Sequence, residues 1–177
     1  MSKGILRIYY GDGYGKSTAA LGTAVSEAGR GKRVMVISFL REKDNNKTEM
    51  LTRLEPEMKF FRFEKSESSF ESLSQTEKEE EIMNLKNGFN YSKKVITTGG
   101  CDLVVLDEIL ELLENDIISE DVFVELANAI PEDMIATYFA LETCSATSGT
   151  FPEDFQSYFN FFDFLSNWVM MPIVALF

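Results

Sequence analysis

The chain has 177 residues, 45% of them hydrophobic and 26% charged, a composition that can bury a globular core without disulfides or a structural metal. Its net charge of −12 is lopsided: all 17 Lys and Arg fall between Lys3 and Lys94, whereas residues 95–177 carry 15 acids and no base, so a long nucleic-acid-binding face is excluded. The absence of histidine removes Ser-His-Asp and Cys-His catalysis, His-ligated zinc, and a His ligand to cobalt or haem iron.

In chain order, Ile5 to Tyr10 is an apolar run that ends in Gly11-Asp12-Gly13, the pattern of a buried strand feeding a tight turn. Ser17 to Ala28 has helical spacing and stops at Gly29 and Gly31. Val34 to Leu40 is a second apolar strand, which makes the opening a βαβ unit with a right-handed crossover. A short helix from Thr48 to Leu54 and a strand from Lys59 to Phe63 follow. The Ser/Glu-rich stretch at about 64–75 is expected as an exposed loop leading into a helix from Gln75 to Val95.

Leu103 to Leu106 reads as a buried strand ending in Asp107-Glu108. Helices to Leu113 and from Glu120 to Ala129, then a strand from Ile135 to Leu141, continue the alternation. The expected fold class is therefore α/β, a P-loop NTPase-like, mostly parallel sheet with helices on both faces, forming a single domain over residues 1–177.

Cys101 and Cys144 lack CxxC spacing and read as reduced thiols of a cytoplasmic protein. The start of the chain offers no signal peptide, and the apolar tract Trp168 to Phe177 is about half of what a membrane-spanning helix needs. It is expected to form an edge strand on the core and to contribute to a homodimer contact, with no membrane partner.

The chemistry is concentrated in Gly11-Asp12-Gly13-Tyr14-Gly15-Lys16-Ser17-Thr18, set after a strand and before a helix. Glycines there let backbone N–H groups turn inward around phosphate oxygens, and the helix start adds partial positive charge. Lys16 is expected on the triphosphate of ATP and the Ser17 hydroxyl on Mg²⁺. Three residues, rather than the usual four, separate Gly11 from Gly15. Asp107 or Glu108, at the end of a second buried strand, is the candidate partner for that metal or its waters. No catalytic side chain stands out.

The shortened loop, the continuation Ala19-Ala20-Leu21-Gly22-Thr23-Ala24, the turn Gly29-x-Gly31-Lys32-x-Val34, and Leu103 to Ile109 together resemble the ATP:corrinoid adenosyltransferase family over roughly residues 4 to 142. The resemblance implies transfer of the 5′-deoxyadenosyl group of ATP to Co(I) of a corrinoid such as cobalamin, with triphosphate expelled. The nucleophile is then the cofactor's metal, and the protein's task is to orient ATP and exclude water.

By the same resemblance, Asp12 stands where the family usually has Asn, Tyr14 where it often has Lys, and Arg41 where it commonly has Lys. The first two replacements are expected to weaken ATP binding. Phe70 falls in the segment that shapes the family's corrinoid pocket. The C-terminal third departs from the pattern: residues 143–177 hold no Arg, Lys or His where the family has a Thr-Gly-Arg turn and a basic tail. A homologue that binds nucleotide as a regulatory or accessory protein is the alternative.

Overall fold

Five short runs of β-branched, aromatic and long aliphatic residues, and a sixth in the tail, pair into one sheet in a computed structural model of the chain. It describes residues 5–10, 15–39, 51–66, 68, 70–131, 134, 136–140 and 169–172. The strands are β1 (Leu6–Tyr10), β2 (Val34–Ser38), β3 (Met58–Arg62), β4 (Leu103–Asp107), β5 (Ala136–Ala140) and β6 (Val169–Pro172). Their order is β3-β2-β4-β5-β1-β6, and every pairing is parallel. β2 and β4 are buried along their whole length, as expected for strands covered on both faces.

Alternation along the strands sorts side chains into two cores. Val34, Val36, Met58, Leu103 and Val105 pack with Ala20, Leu21, Ala24 and Ala28 of α1 (Lys16–Ala28). Met35, Ile37, Val104 and Leu106 face the other way, toward α2 (Gln75–Thr97), α3 (Glu111–Glu114) and α4 (Glu120–Asn128). The α/β fold read from the sequence is thus observed, with helices on both faces of a parallel sheet.

Local signals explain the element ends. Gly31 takes φ +80° just past α1, a conformation that an L side chain rarely adopts, and Lys32 N–H returns to the Glu27 carbonyl at 3.1 Å. Ser74 and Glu77 form a reciprocal capping box at the start of α2. The hydrogen bonds of Ser74 to the Glu77 carboxylate hold its pKa below the usual range.

Boundaries moved slightly from expectation. β2 stops at Ser38, β3 runs one residue earlier than Lys59 to Phe63, and α2 continues to Thr97. Of the expected helix at 48–54, residues 51 and 52 are helical, residues 53–57 form turns, and 48–50 lie outside the described residues. The tail does supply an edge strand, β6 beside β1.

The connection from β3 to α2 mixes exposed positions (Lys65, Ser68, Ser72, Ser74) with half-buried ones (Glu64, Ser66, Phe70, Leu73). Several contacts tie it to α2. Glu81, buried on the helix, accepts the Lys65 N–H at 2.9 Å. Phe63 lies across Gly88, where an added Cβ would stand 2.5 Å from the Phe63 Cγ. Tyr91 meets the rings of Phe61 and Phe63 at centroid distances of 5.1 and 5.7 Å.

Candidate nucleotide and metal site

Because all strands are parallel, their C-terminal ends share one edge, the usual place for ligands in open α/β sheets. Arg62, Ser38, Asp107 and Ala140 occupy one register row there, and Tyr9 pairs with Ala140 to continue it. β1 ends at this same edge with Tyr10, and the next described element is α1, whose N-cap is Gly15.

The first turn of α1 places Ser17 over the end of β4. Its hydroxyl donates to Asp107 Oδ1 at 2.8 Å, and both residues are buried, at 7% and 3% exposure. Asp107 is reached because positions 103, 105 and 107 alternate onto the α1 face. Phe39 N–H bonds to the Asp107 carbonyl at 3.0 Å, fixing the strand end.

Glu108 follows immediately, buried, with φ 61°. A non-glycine residue in the left-handed region is uncommon and is concentrated at functional sites. The sequence left open whether Asp107 or Glu108 would serve the metal; the hydrogen bond to Ser17 belongs to Asp107.

The donor set of one hydroxyl and one carboxylate is made of hard oxygens and suits Mg²⁺. Among the described residues no group of three or more His, Cys, Asp and Glu could hold a metal alone. A cation at Ser17 and Asp107 would therefore complete its shell with water and phosphate oxygens, as P-loop sites do.

The other sequence candidates fall as follows. Gly15 is exposed at the cap and Thr18 is exposed on α1. Gly11, Asp12, Gly13, Tyr14 and Arg41 lie outside the described residues, as does the side chain of Lys16. Phe70 sits in a 3₁₀ turn, Phe70–Ser72, against the core covered by α2, with Lys78 Nζ 5.8 Å from its ring centre. The structure does not bring it beside Ser17 and Asp107, which belong to the opposite face.

Two features at this edge were not picked out from the sequence. Ser38 is a buried hydroxyl next to Asp107 in the row. Arg62 pairs with Glu64 at 2.8 Å, both largely buried. An arginine near the end of a mostly apolar strand was the available signal, but its place in the row follows only from the pairing of β3 with β2.

The opposite edge is chemically separate. Arg33 binds Asp102 there through its backbone N–H at 2.8 Å and its guanidinium at 3.1 Å, joining the starts of β2 and β4. The hydrogen bond from Arg33 holds the Asp102 carboxyl below the usual range. A hollow of about 370 Å³ opens beside it, lined in part by Lys32, Pro56, Lys59 and Cys101, and shares no residue with the Ser17–Asp107 pair.

Residues 2–137 match the profile of the family ATP:corrinoid adenosyltransferase BtuR/CobO/CobP. Among curated proteins, the chain is 27% identical over 129 residues to a corrinoid adenosyltransferase of Escherichia coli K12 and 29% identical over 129 residues to the corrinoid adenosyltransferase CobA of Salmonella typhimurium. Each alignment takes in 73% of this chain and 63% of the relative, so the chain spans less than two thirds of those proteins. A crystal structure of a DNA replication initiation factor aligns with 97% of this chain and 40% of its own, at 15% identity and a TM-score of 0.41. With the family profile covering the P-loop, α1, β2 and the β4 acids, the chain belongs to the ATP:corrinoid adenosyltransferase family.

Proposed function

We propose that this protein transfers the 5′-deoxyadenosyl group of ATP to the reduced cobalt of a corrinoid. The observation that carries the reading is the buried hydrogen bond from Ser17 to Asp107, which joins the end of the phosphate loop to the acid-ended strand. In this reaction a Co–C5′ bond forms, the C5′–O bond breaks, and triphosphate departs with the electron pair. The corrinoid brings the nucleophile, so the protein needs no activated side chain and the lack of histidine is no obstacle.

The chain's own contribution is to bind and orient. Backbone N–H groups of residues 11–15 and the start of α1 cradle the phosphates. Lys16 offsets the negative charge of the leaving triphosphate, and Asp12, Tyr14 and Thr18 border it. Ser17, with Asp107 or Glu108, would hold Mg²⁺, which neutralises phosphate charge when bound. Arg41 is assigned to the nucleotide and Phe70 to the border of the corrinoid. The chain is taken to act as one domain and as a homodimer in the cytoplasm; among the described residues no helix is long and apolar enough to cross a membrane.

The test is anaerobic incubation of the purified chain with Mg-ATP and chemically reduced cobalamin, following Co–C bond formation by absorbance. Alkylation of cobalt that requires both ATP and Lys16 is the expected result. ATP binding without transfer, to cobalamin or to an incomplete corrinoid, would leave a nucleotide-binding accessory protein instead.

A further inference from the structure

Arg62 closes β3 at the C-terminal edge of the sheet, in register with Ser38, which is in register with Asp107. Met58 and Phe60, four and two positions earlier on β3, pack in the α1 core, as do Val34 and Val36 of β2 and Leu103 and Val105 of β4. Alternation therefore assigns Arg62 to the α1 face, the face on which Ser17 meets Asp107. With strands about 4.8 Å apart, the Arg62 and Asp107 Cα atoms stand roughly 10 Å from one another. A long side chain and a phosphate chain lying along the row can close that gap.

The arginine is costly where it is. Its side chain is 15% exposed and that of Glu64 is 6% exposed, with Nη2 and Oε2 2.8 Å apart. A buried ion pair of this kind contributes little net stability compared with apolar residues of the same volume. Anion binding is a use that fits the chemistry, because a guanidinium presents a fork of donors that matches phosphate oxygens. The sequence makes such a cation scarce, since residues 95–177 supply none.

We propose that Arg62 is a second phosphate-binding cation of the nucleotide site, ion-paired with Glu64 until a phosphate group takes the place of that carboxylate. The inference rests on the nucleotide reading given above and adds a residue to it. Glu64 then acts as a competitor of the ligand, which sets the signs of two substitutions against each other. If the pair only braced the start of the β3–α2 connection, both substitutions would lower stability and leave the affinity for the ligand unchanged.

The experiment titrates Mg-ATP and, separately, inorganic tripolyphosphate into the full chain by calorimetry. The variants are Arg62→Met, Arg62→Lys, Glu64→Gln, the double variant Arg62→Met/Glu64→Gln, and Lys16→Ala. Arg62→Met is expected to weaken both ligands roughly tenfold to a hundredfold, the range of a hydrogen bond to a charged group. Arg62→Lys recovers part of the loss. Glu64→Gln tightens both ligands about threefold or more, and this gain vanishes in the double variant, because it acts only through Arg62.

Equal affinities in wild type, Arg62→Met and Glu64→Gln, with binding lost in Lys16→Ala, would overturn the proposal and leave the nucleotide reading standing. Tightening by Glu64→Gln that persists without Arg62 would overturn it too, as a general charge effect. Absence of ATP binding to the wild-type chain would remove both. Should Arg62→Met fail to fold, Arg62→Gln, alone and combined with Glu64→Gln, takes its place in the same comparison.

Discussion

Ser17 and Asp107 are 90 positions apart in the chain, yet the hydroxyl of one donates to the carboxylate of the other at 2.8 Å in a buried setting. If this pair holds Mg²⁺ with the nucleotide, Asp107→Asn and Ser17→Ala should each lower ATP affinity about tenfold or more in Mg²⁺ and far less in EDTA. Lys16→Ala should weaken binding in both conditions, since its charge acts on phosphate directly. Calorimetric titration with and without the metal separates these cases. Equal losses for Asp107→Asn in Mg²⁺ and EDTA would mean that the carboxylate serves the fold alone.

Glu108 adopts φ 61° at the end of β4. Asparagine tolerates that conformation better than alanine, so Glu108→Asn should be more stable than Glu108→Ala by about 1 kcal/mol. Urea unfolding of the two variants, which lose the same carboxylate, makes the comparison. Alanine equalling asparagine would show that the left-handed backbone is not what the site must support.

Gly88 leaves room for Phe63, and a Cβ added there would stand 2.5 Å from the ring. Gly88→Ala should therefore destabilise the protein by about 1–3 kcal/mol, as overpacked cores do. In a Phe63→Ala background the penalty should largely disappear, and a double-mutant cycle measures that coupling. Additive losses would place the clash elsewhere.

Burial pushes the Cys101 thiol up to about 12, with the Asp102 charge adding to the shift and Arg33 opposing it. The folded pKa lies above the unfolded value of about 8.5. Stability from this group is therefore fully present below about pH 8.5 and is lost as pH rises toward 12. Cys101→Ala should flatten this alkaline decline, whatever it does to stability at pH 7. Urea midpoints of both proteins at pH 7, 8.5 and 10 give the answer, and parallel declines would refute the assignment.

Asp102 behaves oppositely, because its hydrogen bonds from Arg33 hold the carboxyl low. Its contribution is present above the unfolded value of about 3.9 and disappears as pH falls through the lower folded value. Asp102→Asn should thus narrow the stability difference between pH 5 and pH 2.5, measured by thermal melts. An unchanged difference would show that this exposed pair adds nothing measurable.

Much of the architecture was legible because strand and helix periodicities differ and because Gly, Ser and Asp punctuate them. β1, β2, β4 and α1 fell close to their expected places, and the tail strand was foreseen as an edge. The Ser17–Asp107 pairing could be anticipated only as two motifs, since its contact depends on which strands neighbour β4. Arg62 escaped for a related reason. Lys59 and Arg62 stand at opposite parity in the run Met58 to Phe63, so its charges do not say which face is buried, and the row that Arg62 joins depends on the pairing register. Phe70 was assigned from its position along the chain, whereas its environment is set by packing against α2.

The sheet order has a consequence for how the chain reaches its final form. β2, β3 and β4 pair among themselves, but β1 pairs with β5 and β6, joining Leu6 to Thr137 and Arg7 to Val169. The strand that leads into the glycine-rich segment after Tyr10 is made before β2, β3 and β4 and has to wait for β5 before it meets a neighbour. Such long-range pairing is slow and leaves a strand edge open in the meantime. If the chain binds nucleotide as proposed, that property should be among the last acquired during synthesis, and a truncated nascent chain that ends before β5 should fail to hold ATP.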